Sequence, residues 1–311
     1  MASDRRRAPT LVFDAHCLVV TDSRQWSRNL PMGATIDLVT ETPTGYLHGY
    51  SQKERDRLHR QARFLEPMVH AGLPYRRRKS LLEVGCGVGA QTEILLRHWP
   101  DLHVTGVEIN DDQLEEARRF LPTVPWAGDR YTLAKGDATQ LEYGAGTFDS
   151  AFLCWILEHV GDPARVLSEV RRVLVPGSPV VISEVLNATF FIDPYSPDTL
   201  RYWTAFNEHQ MDVGGDPFVG AKLGNLLLAG GFRDVTTQVK TFHFDNREPA
   251  KRKGIVEYWE ELLLSAADQL IDAGKVTTEV VDGMRREMQL VRNDPNAVFF
   301  YAFVQARAIA F

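Results

Sequence analysis

Apolar positions along this chain follow two alternating spacings. Short apolar runs of the kind that make buried strands fall at 81–84, 102–109, 131–134, 148–154 and 179–183. Between them the apolar residues space themselves as one helix face: Thr92, Leu95, Leu96 and Trp99, then Leu114, Ala117 and Leu121, then Val166, Leu167, Val170, Val173 and Leu174. Asp162 and Pro163 open the last of these helices, and Pro176-Gly177 stop it. Asp111 and Asp112 stand at the positive end of the second. Such alternation predicts a parallel, doubly wound sheet with its ligand at the carboxyl ends of the strands.

Outside this block the pattern is looser. A helix is predicted from residue 50, with Ser51 and Glu54 as a capping box and Leu58, Ala62, Leu65 and Val69 inward. Residues 1–49 hold two strand-like runs and then Pro31, Gly33, Pro43 and Gly45, which reads as an extension over the site or into a homodimer contact. Downstream, 218–229 reads as a helix stopped by Gly230-Gly231, and 234–244 and 297–311 read as long strands. The segment 186–215 and the helices at 253–273 and 277–292 exceed what such a sheet needs, since neighbouring strands require only a short turn. The expected organisation is an N-terminal extension (1–49), a lid helix region (50–79) and a ligand-binding domain (80–311) with cap insertions at 186–215 and 247–296.

The chemistry concentrates where the first strand ends. Gly85, Gly87 and Gly89 make a turn almost bare of side chains, followed by a helix N-terminus with free N–H groups. Gly85-x-Gly87-x-x-Ala90 fits a dinucleotide fingerprint, and Glu108 lies near the expected offset for a ribose-binding acid. Glu83 argues for a different ligand: a carboxylate at that strand end repels a pyrophosphate and attracts the amino group or sulfonium of S-adenosylmethionine (SAM). Asp137, in Gly-Asp-Ala138, is placed to accept from an adenine amino group, although a turn-forming Gly-Asp pair explains it equally. On the 50s helix, Tyr50, Arg57 and Gln61 are candidates for the methionine carboxylate; Arg57 and Gln61 share a face at i and i+4.

The ordered set Leu-Glu83-Val-Gly-Cys-Gly-Val-Gly, Val-Glu108-Ile-Asn, Gly-Asp137-Ala, Phe-Asp-Ser-Ala with Leu-Glu-His159, and Arg-Arg-Val-Leu-Val-Pro-Gly177 resembles the class I SAM-dependent methyltransferase superfamily over roughly 80–185. The small-molecule branch that includes ubiquinone/menaquinone-type methyltransferases is the most similar. The resemblance implies a Rossmann-like seven-stranded sheet with its last strand antiparallel. It also implies SAM, with S-adenosylhomocysteine (SAH) as product, on Glu83, Gly85, Gly87, Glu108, Ile109, Gln113, Asp137, Ala138 and the Leu153-Cys154 backbone. The Tyr50–Gln61 stretch resembles a lid of one subgroup.

The expected activity is methyl transfer to nitrogen or oxygen of a small, largely apolar or aromatic metabolite. Alternatives are carbon methylation of a quinone-like or prenyl acceptor, sulfur methylation, a non-catalytic SAM-binding protein, or a Rossmann oxidoreductase. Aromatic density in the insertions (Phe190, Phe191, Tyr195, Tyr202, Trp203, Phe206, Tyr258, Trp259) motivates the apolar acceptor, with most of these rings assigned to core packing. Candidate bases are His209, Glu208, Glu184 and His159. A formal charge of −6 offers no nucleic-acid footprint, no 18-residue apolar span predicts a membrane helix, and no signal-type apolar region follows the basic start. Cys17, Cys86 and Cys154 are scattered, so no metal site or disulfide framework is expected and the cytoplasm is the default location.

Overall fold

A computed structural model describes His48 and residues 52–311, with Gln52 and Lys53 described in the backbone alone. The expectations for Tyr50, Ser51 and the rest of 1–49 lie outside the described residues. Helix α1 (Gln52–Val69) precedes the alternating block: β1 (Ser80–Val84), α2 (Ala90–His98), β2 (His103–Glu108), α3 (Asp111–Phe120), β3 (Tyr131–Lys135), β4 (Ser150–Cys154), α4 (Pro163–Val173) and β5 (Pro179–Val185). These five strands run parallel in the order β3-β2-β1-β4-β5. Successive residues of a strand face opposite sides, so Leu81 and Phe152 enter one core with α1 and α2, while Leu82 and Leu153 enter the other with α4. The caps match the sequence signals: the Asn110 side chain accepts from the Gln113 amide to start α3, and Asp162 accepts from the Arg165 amide to start α4.

After β5 come β6 (Phe191–Asp193), α5 (Pro197–Asp212), α6 (Leu223–Ala229), β7 (Arg233–Phe244), α7 (Pro249–Ser265), α8 (Ala267–Asp272), α9 (Thr278–Asn293) and β8 (Val298–Ile309). Strand β8 lies antiparallel between β5 and β7. The described sheet has eight strands rather than the expected seven. The extra one is β6: the chain leaves β5 through a short 3-10 turn and returns to the same edge of β8, where Phe191 pairs with Phe300. Three residues are too few to show a period.

Helices α5, α7, α8 and α9 pack as one layer over the half of the sheet nearest β8. Trp203, Phe206, Trp259, Met284 and Met288 are all buried there together with Phe299 and Tyr301. The ring of Phe190 stacks on Trp259 at 5.4 Å, and Trp203 stacks on Phe206 at 5.3 Å. Most of the insertion aromatics are therefore core, as their helical spacing predicts. Phe191 and Tyr195 are exposed instead. No described helix is long and apolar enough to cross a membrane.

Candidate functional site

The glycine turn closes against the end of β2. The amides of Gly85 and Cys86 donate to the Val107 carbonyl, and the Gly87 amide donates to Glu108 Oε2 at 3.0 Å. Gly85 and Gly87 have φ of +71° and +51°, a region that side chains with a Cβ enter at a cost. They are also hemmed in: a Cβ at Gly85 meets Ile156 Cδ1 at 2.6 Å, and one at Gly87 meets Gln113 Oε1 at 2.8 Å. The turn, the first residues of α3 and the turn after β4 thus converge on one point.

Glu108 is oriented from two sides, because the Asn110 amide donates to its Oε1 at 2.9 Å while Gly87 holds Oε2. Burial raises its pKa, and those backbone N–H groups oppose the shift. Beside it Ile109 leaves 60% of its surface in the open, an unusual exposure for a large apolar side chain in this region. Glu83 lies deeper. It is 2% exposed, its Oε2 accepts from Thr92 Oγ1 at 2.6 Å, and burial pushes its carboxyl up to about 8, with the Thr92 hydrogen bond opposing and the Glu108 charge adding to the rise. Asp137 is exposed, and its Oδ1 accepts from the Thr139 amide and hydroxyl, the turn-forming arrangement. Ala138 packs at the rim of the α4 core, Leu153 is fully buried, and Cys154 is half-buried at the strand end.

On α1, Arg57 is 3% exposed and engaged within its own helix. Its guanidinium donates to both oxygens of Glu54, at 2.7 and 2.5 Å, and to Gln61 Oε1 at 2.9 Å. Burial raises the phenol of Tyr258 on α7 to about 12, and the nearby Arg57 charge opposes the rise. Through Leu58 and Ala62 the same helix packs on Val88 and Ala90 of the glycine turn.

The candidate bases divide into two groups. Glu208 is exposed and lines an open surface groove with Tyr195 and Lys275, and His209 sits beside it. His159 instead lies in the turn after β4, and Glu184 bonds to the backbone of that turn. Glu184 is fully buried at the end of β5, and its Oε1 accepts from the amides of Ile156 and Leu157 at 3.0 and 2.7 Å. Burial, then the charge of Glu158, raises its pKa well above the carboxylate range. Trp155 enters that turn with φ of 55°, rare for a bulky residue, and its amide donates to the Ser183 carbonyl at 2.9 Å.

Two residues of this cluster escape sequence reasoning. Glu158, 8% exposed, receives the Gln210 Nε2 at Oε2, 2.9 Å away, and has His159 Nε2 3.7 Å from Oε1. Gln210 comes from α5, 52 positions later. The only signal was the Leu-Glu-His run itself, which fixes no partner.

A strand-turn-helix floor with an acid at the end of the second strand, under a parallel sheet completed by an antiparallel strand, defines a nucleoside-binding transferase architecture. The comparisons agree. A family model described as a methyltransferase domain matches residues 82–182. An O-methyltransferase of Penicillium expansum, cnsE, is 33% identical over 216 residues, covering 65% of this chain and 71% of that protein. An uncharacterised 37.1 kDa protein in a Streptomyces fradiae transposon is 31% identical over 191 residues; the match covers 61% of this chain and about half (53%) of that protein. Among solved structures, a Haemonchus contortus phosphoethanolamine N-methyltransferase, crystallised with phosphomonomethylethanolamine and SAH, aligns with a TM-score of 0.50 at 19% identity, over 79% of this chain and 52% of that one. This chain belongs to the class I SAM-dependent methyltransferases.

Proposed function

We propose that this chain transfers the SAM methyl group to a hydroxyl oxygen of a small, largely apolar or aromatic metabolite. The observation that carries the donor half is Glu108, pre-oriented by two backbone amides beside the exposed face of Ile109. That pairing fits a nucleoside: the carboxylate keeps lone pairs for a ribose diol, and Ile109 offers an apolar face to an adenine ring. Gly85 and Gly87 bring backbone close to the ligand, Gln113 walls the turn, and Asp137 and Ala138 edge the adenine. The Leu153-Cys154 backbone and Glu83 bound the methionine end, under α1 with Arg57 and Gln61. When bound, SAM supplies a methyl carbon made electrophilic by its sulfonium.

The protein's own work is positioning and exclusion of water, since in-line attack needs reacting atoms about 3–3.5 Å apart. The cap supports an acceptor beneath it. Phe190, Trp155 and Tyr258 are half-buried residues, while Trp203, Phe206 and Trp259 are core. The oxygen acceptor is favoured by the likeness to the Penicillium enzyme, named an O-methyltransferase. A net charge of −6 supports a metabolite rather than nucleic acid as substrate. Free Cys86 and Cys154 suit a cytoplasmic location. The test is incubation with methyl-labelled SAM and a set of phenols and small-molecule extracts, read by mass spectrometry. An O-methylated small molecule is the expected product. Label appearing only on carbon, or only on protein or RNA, would overturn the reading.

A further inference from the structure

The turn after β4 gathers more polar groups than the fold needs. Glu158 is its centre: one side chain from α5 hydrogen-bonds it, and groups on four other elements lie close enough to feel its charge. Gln210 of α5 donates to its Oε2. Glu184 of β5, Tyr258 of α7, Tyr301 of β8 and Cys154 of β4 all feel its charge, and His159 stands next to it. Each of these groups comes from the carboxyl-end side of the sheet, where ligands of doubly wound folds sit. Glu158 also lies four residues past Cys154, the end of the strand whose backbone bounds the donor.

Two buried atoms in this cluster have no hydrogen-bond partner: Glu184 Oε2 and Gln210 Oε1, on residues 0% and 1% exposed. Leaving a buried polar atom unpaired costs about 1–3 kcal/mol, and native structures rarely accept it twice in one place without a ligand, ion or water to meet it. Both atoms flank Glu158. The hydroxyl of a bound acceptor molecule, which both donates and accepts, supplies the partner each atom lacks. Burial, then the neighbouring Glu158 charge, favours the protonated form of Glu184.

We propose that Glu158 is the catalytic residue that takes the proton of the acceptor hydroxyl during methyl transfer, with Gln210 and Glu184 as positioning residues. The inference rests on the O-methyl reading above. As the hydroxyl oxygen forms its bond to the methyl carbon, the carbon–sulfur bond breaks and its electron pair stays on sulfur. The O–H proton passes to the Glu158 carboxylate. A sulfonium, a carboxylate and an alcohol or phenol thus become a thioether, a carboxylic acid and a methyl ether. The acid returns its proton to solvent after product leaves.

The substrate's own acidity separates this role from a packing role. A simple phenol, with a pKa of about 10 like that of tyrosine, needs a base at neutral pH, whereas a nitrophenol already ionised there does not. The experiment uses tritiated SAM with unsubstituted phenol and 4-nitrophenol as probes, on wild type and the variants Glu158→Gln, Glu184→Gln and His159→Gln, with SAH calorimetry as the check on folding. Glu158→Gln should bind SAH like wild type, lose about 10²–10⁴-fold in kcat with phenol, lose the acidic limb of its pH profile, and retain nitrophenol turnover within about tenfold. Glu184→Gln, which mimics the protonated form that burial favours, should keep the acidic limb with a loss of less than about tenfold. Equal losses on both phenols in Glu158→Gln would overturn the assignment, as would loss of the acidic limb in His159→Gln alone. Methylation of neither phenol by a wild type that binds SAH would instead overturn the hydroxyl reading and withdraw the base with it.

Discussion

Glu83 is expected to make the affinity for SAM depend on pH. Its carboxyl is 2% exposed, accepts a hydrogen bond from Thr92, and titrates at about 8 against 4.5 for the open chain. Between those two values the folded chain keeps a proton that the unfolded chain has released. Stability therefore falls as pH rises through this window, by up to about 1.4 kcal/mol per pH unit. Over the whole gap this amounts to roughly 5 kcal/mol, fully lost only above the folded pKa. A cation placed beside Glu83 reverses the balance, because it favours the carboxylate and expels the proton. SAM binding between about pH 6 and 7.5 should then tighten by up to tenfold per pH unit and release close to one proton. Calorimetry in buffers of different ionisation enthalpy measures that proton directly, and thermal melts of the free protein measure the stability slope. Glu83→Gln should flatten both and raise the melting temperature at pH 8. The reasoning fails if wild type and Glu83→Gln share the same stability slope from pH 6 to 8, or if SAM binds at pH 6.5 without proton release.

Glu108→Ala should weaken SAM by about 1–3 kcal/mol in calorimetry, by removing the charged acceptor for two hydroxyls. Gly87→Ala should destabilise the fold by about 1–2 kcal/mol from its φ of +51° alone, and lower SAM affinity further because the new Cβ forces Gln113 aside; melts and titrations check the two effects. Arg57→Ala is expected to act first on stability. It strands the 2%-exposed Glu54 without its guanidinium, a loss of about 3–5 kcal/mol in denaturant unfolding, which Arg57→Ala combined with Glu54→Ala should largely recover.

Much of the sheet was legible because its strands are buried and its helices amphipathic, the condition under which pattern follows structure. Asp162-Pro163 and Gly85-x-Gly87 mark their elements through backbone chemistry, so their positions carry over almost unchanged. The proposed donor half of the site sits on such local signals. The proposed acceptor half does not. Glu158, Glu184, Gln210, Tyr258 and Tyr301 come from five separate elements, and only the fold brings them together. Arg57 was legible as a helix-face cation yet not as the partner of Glu54, since both the capping box and the i,i+3 ion pair use the same glutamate. The long helix expected over 253–273 divides at Ala266, where neither glycine nor proline gives warning.

Strand β8 has a wider consequence. Its first residues pair with β6 of one insertion, its later residues pair with β5 of the parallel block, and its other edge takes β7. The second insertion hangs between β7 and β8 themselves. The cap is thus sewn into the sheet along both edges of one strand and has no hinge of its own. A lobe built this way does not swing open as a rigid body without tearing a ladder of backbone hydrogen bonds. Helix α1 is held differently: it owns no strand, and packs on the glycine turn through Leu58 and Ala62 and on the main core through Leu65 and Val69. Strand β8 also ties folding to a distant event: the β5 edge stays bare until a partner more than 110 residues downstream arrives, a long-range closure of the sort that slows folding and leaves apolar edges open meanwhile.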